Sequence, residues 1–309
     1  GDVEVPHRVA EDYANNVLSA VSVAGVADAH LRIVVDTGGG AAALVLPTVL
    51  GRVGVDVLAV NNWLAENRPT DTGDDRARAL ANLAGLVAAS RADFGVRFDP
   101  AGERLSLIDE TGRIVPDDRA ALIIADLVCA ETHGEVALPV TTTRVAERVT
   151  RFHGSSVLWT PVGERELSAR MSAEVVLGAD GEGGFIVPGV GRHLDPFAAF
   201  VRLLGLVARA RLTLSAIDER IPRSHVVRTG IVTPWAHKAS VMRAVREQAR
   251  GLVLEDGFGG IRIDYDRTRW VFVSADPTEA VTHVWAEGES DDDAEALLGD
   301  WAERIRTAL

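Results

Sequence analysis

The chain has 309 residues, 47% hydrophobic and 25% charged, which is enough apolar material for two or three globular domains. Its net charge of -13 repels phosphate backbones, and its single lysine, Lys238, and its arginines are scattered among acids, so no basic patch marks a nucleic-acid binder. No apolar run reaches the ~20 residues of a membrane-crossing helix, the acidic residues 1–6 carry no signal-peptide pattern, and the single cysteine, Cys129, cannot close an intrachain disulfide, so a cytoplasmic protein without a membrane partner is expected.

In chain order, residues 8–24 read as a helix with Val9, Tyr13, Val17 and Leu18 on one face and Glu11 and Asp12 near its start. A strand over 31–36 ends in Thr37-Gly-Gly-Gly40. A helix over 41–53 then leads to a strand over 55–60, a βαβ unit that implies a parallel sheet. An amphipathic helix over 74–90 precedes strands over 94–98 and 104–109, a turn over 110–113 and a helix over 117–131, in which Cys129 reads as a buried structural thiol. A second unit follows, with a strand over 136–140 and a helix over 141–152 capped by Thr141 or Thr142. It continues with a strand over 157–160, a helix over 164–171, strands over 174–177 and 184–188, and helices over 195–210 and 213–220. The last segment follows a different pattern, with a strand over 225–232, a helix over 234–248, paired strands over 260–264 and 270–274, a strand over 281–286 and a helix over 291–309. The chain reads as α/β, with two mixed α/β domains at 25–134 and 135–222 and an α+β domain with an antiparallel sheet at 223–309. Residues 1–24 lead in.

Four loops could carry chemistry, and each also has a plain reading. Asp36-Thr-Gly-Gly-Gly40 could hold a phosphate on backbone N–H groups at a helix start, but Ala43 breaks the dinucleotide-type glycine spacing, which favours a tight strand-to-helix turn. Asp99-Pro-Ala-Gly-Glu-Arg104 offers two carboxylates, where a hard divalent cation wants several oxygens, or it is a charged hairpin. Asp180-Gly-Glu-Gly-Gly184 could present Glu182 to sugar hydroxyls or be a solvent turn. Ser274-Ala-Asp-Pro-Thr-Glu279 fits a capping turn equally well. The histidines show no metal spacing, and there is neither a Ser/His/Asp nucleophile pattern nor a phosphate-binding P-loop. Asp291-Asp-Asp-Ala-Glu295 reads as the acidic first turn of the last helix.

Taken in order, these loops resemble domains two to four of the alpha-D-phosphohexomutase superfamily (phosphomannomutase/phosphoglucomutase). Residues 31–40 and Leu46-Pro47 resemble the start of the second domain, and residues 92–99 the strand into the family's metal loop. The family loop reads Asp-Gly-Asp-Gly/Ala-Asp-Arg. Here Asp99, Glu103 and Arg104 match, but Ala101 replaces the middle acid, so magnesium, the family cofactor, is not expected to be held. The sugar loop, Gly-Glu-x-Ser-Gly-His in the family, is matched by Asp180-Gly-Glu-Gly-Gly-Phe185, without its Ser and His and with Glu182 one position out of place. The fourth-domain phosphate loop, Arg-x-Ser-Gly-Thr-Glu-Pro, retains Thr278 and Glu279 but has Ser274 for the phosphate-clamping Arg. Asp276 then sets a negative charge where phosphate would sit. By this resemblance residues 1–24 are a linker helix after a first, phosphoserine-bearing domain.

Residues 98–105, 137–144 and 280–288 further resemble the mutase-like tail of bacterial sugar-nucleotide pyrophosphorylases of the mannose-1-phosphate guanylyltransferase type. That resemblance implies an upstream nucleotidyltransferase domain in the same polypeptide, or a homo-oligomer. The expected function is a phosphohexomutase-like module that binds a hexose phosphate or serves assembly and is not mutase-active by itself. The alternatives are a working phosphomannomutase/phosphoglucomutase and a purely structural interaction domain. Arg104, Glu182, Thr278 and Glu279 are the expected sugar-phosphate contacts, Asp99 and Glu103 the degenerate metal ligands, and no catalytic residue is assigned.

Overall fold

The computed structural model describes residues 8–65 and 72–309, with the backbone alone for 253–256. The acidic stretch 1–6, and with it the first part of the expected 1–24 leader, lies outside the described residues.

Helix α1 (Val9–Ala20) buries Ala14 and Val17. A short α2 (Val26–Ala29) follows, where the sequence pattern suggests only a connection. Strand β1 (Arg32–Asp36), helix α3 (Ala42–Val53), strand β2 (Asp56–Val60), helix α4 (Gly73–Ser90) and strands β3 (Phe94–Phe98), β4 (Leu105–Asp109) and β5 (Ile114–Val115) build the first sheet, in the order β2-β1-β3-β4-β5. β1 runs parallel to β2 and β3, and β4 turns back against β3. α4 begins with a capping box, in which Thr72 accepts from the Asp75 N–H and the Asp75 carboxylate accepts from the Thr72 N–H.

After α5 (Asp117–Glu131) the plan repeats. Strand β6 (Glu135–Pro139), helix α6 (Val145–Phe152), strand β7 (Ser156–Thr160), helix α7 (Glu164–Ala169) and strands β8 (Val175–Ala179) and β9 (Phe185–Ile186) form a second sheet ordered β7-β6-β8-β9, again parallel until a last antiparallel hairpin. Helix α8 (Pro196–Ala210) is capped by Asp195, which accepts from the Ala198 N–H, and α9 (Leu214–Arg220) is capped by Thr213. One continuous apolar core joins the two sheets. Val35, Phe98 and Leu107 of the first share it with Leu138 and Leu177 of the second and with Ile123, Leu127, Phe200 and Leu204 of α5 and α8. Phe98 stands 5.6 Å from Phe197 and 5.7 Å from Phe200 at the centre. Cys129 is buried in this core, as its apolar surroundings predict.

The third sheet is antiparallel throughout. Strand β10 (Val226–Val232) is followed by a tight helical turn at Trp235–His237, helix α10 (Lys238–Gln248), and strands β11 (Val253–Asp256), β12 (Ile261–Asp264), β13 (Trp270–Ala275) and β14 (Val281–Glu287), in the order β10-β14-β13-β12-β11. Helix α11 (Asp291–Thr307) closes the chain, with three Asp in its first turn and Arg304 and Arg306 in its last, as the helix dipole favours. Successive side chains on a strand point to opposite faces. One face of this sheet, with Ile263, Val271, Val273, Val284 and Ala286, packs on α10 and α11. The other, with Arg262, Asp264, Trp270, Phe272, Trp285 and Glu287, turns toward the second sheet.

That second face corrects one expectation. The helix predicted over 141–152 begins at Val145, with Arg144 at its cap and no side-chain cap bond. Residues 141–144 are drawn into the junction instead: the Thr143 hydroxyl accepts from the Val145 N–H and donates to Glu287. A tertiary hydrogen bond to a buried carboxylate outweighs the weak local preference for one more helical turn. The sequence pattern gives no sign of β11. It is an edge strand bearing Glu255 and Asp256, and edge strands tolerate charges that obscure their pattern.

Candidate functional site

The repeated plan of the first two sheets places two equivalent hairpin loops, β3–β4 and β8–β9, side by side. In both, the leading aspartate folds its carboxylate back onto its own loop. Asp99 Oδ1 accepts from the N–H groups of Glu103 (2.8 Å) and Arg104 (2.9 Å), and Asp180 Oδ1 accepts from those of Glu182 (2.7 Å) and Gly184 (2.8 Å). The loops are stitched together by the Leu105 N–H, which donates to the Gly183 carbonyl at 2.8 Å. Gly183 has φ +94°, and a Cβ there would lie 2.6 Å from the Leu105 oxygen, so a side chain would push the loops apart.

The glycine turn after β1 lies beneath this arrangement. Residues 33–40 are buried, and a Cβ on Gly40 would collide with the Pro100 carbonyl. Asp36 Oδ1 takes the Gly38 N–H at 2.8 Å and the Asn61 amide at 2.9 Å, while its other oxygen lies 3.5 Å from buried Arg97. The turn is therefore the tight packing turn of the two readings considered, closed over by the 98–100 backbone rather than open to a phosphate.

Above the two hairpins, facing β10, is a cleft of about 480 Å³. Arg104 reaches across it and donates to Asp180 at 2.8 Å and to the Glu182 carbonyl at 2.8 Å, with the Glu182 carboxylate 3.8 Å away. Burial opposes the charge on Arg104, but Asp180 and Glu182 outweigh it and hold the guanidinium above its ordinary range. Arg228 of β10 pairs with Glu182 from the opposite wall, so this carboxylate of the second sheet's hairpin is approached from both of the other sheets. On the floor, Arg76 of α4 binds Asp117 at 2.6 Å and the Ser106 hydroxyl at 2.9 Å. Burial pushes the Asp117 carboxyl up against the pull of Arg76. Thr141 and Thr142 also line the cleft, and their hydroxyls have no hydrogen-bond partner among the described residues. Trp285 completes the wall. The cleft thus combines paired guanidinium forks, two unpartnered hydroxyls and one aromatic surface.

The expected residues divide. Arg104 and Glu182 meet in this cleft. Asp99 and Glu103 stay in the hairpin that delivers Arg104. Thr278 and Glu279 lie on the β13–β14 loop and do not line the cleft; their N–H groups donate to Asp276 Oδ1 at 2.7 and 2.8 Å. These N–H groups, with the Thr278 hydroxyl and His283, hold the Asp276 carboxyl well below the usual range. Asp276 thus faces its own loop and fills the anion position there itself. Lys238 donates to the carbonyls of Asp276 and Glu279 from behind. Ser274, in the place of the family's clamping Arg, donates to the Gly259 carbonyl at 2.9 Å. Asp180, Arg76, Asp117, Thr141, Thr142 and Arg228 line the cleft or pair within it, although the sequence reading assigned none of them a ligand contact. Asp180 alone carries a signal, as the acid opening a hairpin equivalent to that of Asp99.

At the place of the family's metal loop, Asp99 Oδ1 is already committed to two N–H groups and Ala101 offers no ligand. Among the described residues no group of three or more His, Cys, Asp or Glu is placed to share an ion.

Two adjoining models of one family match the chain: phosphoglucomutase/phosphomannomutase alpha/beta/alpha domain II over residues 11–112 and domain III over residues 116–224. A probable phosphoglucosamine mutase of Methanopyrus kandleri is 29% identical over 323 residues, covering 100% of this chain and 71% of that protein. A phosphoglucomutase/phosphomannomutase of Thermococcus kodakarensis is 25% identical, covering 94% of this chain and 64% of that protein. The crystal structure of a phosphoglucomutase/phosphomannomutase family protein from Burkholderia thailandensis superimposes with a TM-score of 0.80 at 20% identity, over 97% of this chain and 64% of that one, a likeness of fold. The chain thus spans 64 to 71% of the length of these three proteins.

Proposed function

Because the chain belongs to the phosphoglucomutase/phosphomannomutase family, we propose that its cleft recognises a hexose or aminohexose phosphate and that these residues do not by themselves move the phosphoryl group. The observation that carries this reading is the convergence of Arg104 and Arg228 on Glu182, with the unpartnered hydroxyls of Thr141 and Thr142 beside them. Phosphoryl transfer in such a site asks for an electrophilic metal and a charge-assisted clamp on the transferred group. The ligand set at 99–104 does not fit magnesium, although a relative of like fold, the N-acetylphosphoglucosamine mutase of Aspergillus fumigatus, was crystallised in complex with GlcNAc-6P and magnesium. The β13–β14 loop offers Asp276 in place of a clamp. The compartment we assign is the cytosol, and the expected partner, a nucleotidyltransferase domain upstream in the same polypeptide or a second copy of the chain, is a separate proposal, to be tested by sequencing the full-length gene and by the oligomeric state in solution.

The test is calorimetric titration of the chain with glucosamine 6-phosphate and mannose 1-phosphate. We expect saturable binding that Arg104→Ala weakens by roughly tenfold or more, the worth of one charge-assisted contact. Binding indifferent to Arg104→Ala would sink the assignment. Magnesium titrated alone should bind more weakly than about micromolar, or -8 kcal/mol. The second reading, a working mutase, is favoured by the names of the relatives. Turnover above ~1 per second in a coupled assay with the matching bisphosphate would establish it over ours.

A further inference from the structure

The chain carries a net charge of -13, yet five arginines line a single groove of about 540 Å³ on the far side of the 141–144 segment from the cleft. Arg144, Arg148 and Arg151 come from α6 and its cap, Arg223 from the connection into β10, and Arg267 from the β12–β13 hairpin. No basic patch is visible in the sequence because these residues are far apart along the chain; folding gathers them. Arg144 is neutralised by Asp264 at 2.8 Å, and Arg151 is within 3.7 Å of Glu147. Arg148, Arg223 and Arg267 have neither ion pair nor hydrogen bond among the described residues. Of the acids lining the groove, the Glu287 carboxylate is used up by Thr143, the Arg144 N–H and Trp270, which leaves exposed Glu289 as the only opposing charge without a partner. The groove shares no lining residue with the cleft.

Three like charges held around one concavity repel one another and lower the cost of admitting an anion. Guanidinium forks match phosphate oxygens two at a time, and several such groups neutralise more than one phosphate charge. The volume falls within the roughly 300–1,000 Å³ of small-molecule sites, and the acidic remainder of the surface disfavours an extended polyanion. We propose that this groove is a second site, one that binds a small diphosphate-bearing anion, either free diphosphate or the diphosphate of a nucleotide.

The experiment is calorimetric titration of the whole chain at low ionic strength with inorganic diphosphate, ADP and AMP in turn. Saturable binding of diphosphate is expected, with AMP at least about tenfold weaker for want of the second phosphate. ADP tighter than diphosphate would identify a nucleotide site; equal affinity would identify a site for the diphosphate group alone, and either result supports the proposal. Arg148→Ala/Arg223→Ala/Arg267→Ala should raise Kd by at least about tenfold, whereas Arg104→Ala in the cleft should leave it unchanged. Because all three side chains are exposed, the triple variant should retain its circular dichroism. If it does not fold, Arg267→Ala on its hairpin carries the test with a severalfold rise. Diphosphate that fails to saturate at millimolar concentration, affinity unmoved by these substitutions, or a single-stranded oligonucleotide bound where diphosphate is not would each overturn the proposal.

Discussion

The two junctions of this molecule differ in material: a network of buried charged groups crosses only the second. Between the first and second sheets runs one apolar core, centred on Phe98, Phe197 and Phe200, with Tyr13 of α1 tied to Asp195 at its edge. Between the second and third sheets a small apolar cluster of Val140, Trp270 and Phe272 is accompanied by a buried polar network. Glu287, only 4% exposed, accepts from Thr143, the Arg144 N–H and Trp270. Arg262, 2% exposed, lies 3.8 Å over the Trp270 ring, donates to the Val140 carbonyl and pairs with Asp264 at 3.2 Å. Burial pulls the Arg262 guanidinium down to about 10, which leaves it charged at neutral pH. Apolar contacts are non-directional and tolerate small displacements, whereas a buried polar network holds one geometry and is costly when half-made. The first junction therefore fuses its two sheets, and the second latches the third sheet in one orientation.

Substitutions on each side put this contrast at risk. The largest effect should come from Phe200→Ala, which removes a fully buried ring and should cost about 3–5 kcal/mol. Urea unfolding should show one transition displaced as a whole, and two separated transitions would show that the first junction is not a fused core. Next comes Glu287→Ala, expected to cost about 3 kcal/mol because three buried donors lose their acceptor and buried Arg262 loses a neighbouring negative charge. Here the third sheet should come loose first, with protease cleavage near 221–225 before the other sheets unfold. Uniform destabilisation without such cleavage would make the two junctions alike. A smaller, pH-dependent effect is expected at Asp276. Its carboxyl is depressed in the folded state, so its stabilisation is complete above the ordinary carboxylate range and is lost as acidification carries the pH down toward the folded value. The Tm gap between the parent and Asp276→Asn should accordingly shrink between about pH 6 and pH 3; a gap that widens would reverse the assignment. Arg228→Ala should be the mildest for stability, under about 1 kcal/mol by chemical denaturation, because its pair with Glu182 is more than half exposed.

Periodicity made most of the fold legible. The βαβ pattern announced both parallel sheets, and alternation in the 260–286 region announced the antiparallel one, because each rests on burying one face of each element. The same rule concealed the latch. Arg262 and Asp264 occupy the polar positions of an alternating strand and Glu287 lies just past the strand read over 281–286, so nothing local in sequence marks them as buried against another sheet. Thr143 read as part of a helix start for the same reason: its partner, Glu287, is remote in sequence. In the cleft, Arg104 and Glu182 were named through loops whose family resemblance is local in sequence, and the structure brings the two together. Arg228 was not, since a single arginine in a strand carries no signal until the fold places it opposite Glu182.

Lys238 has a practical consequence. It is the one lysine of the chain, its ammonium group sits 3.6 Å over the Trp235 ring, and it donates to two carbonyls of the loop that Asp276 organises. Apart from the α-amino terminus, an acylating dye or an amine-directed cross-linker has a single addressable atom in this protein, and that atom is caged. Its modification rate becomes a built-in clock for how often the β13–β14 loop opens, readable by mass spectrometry without introducing any label site.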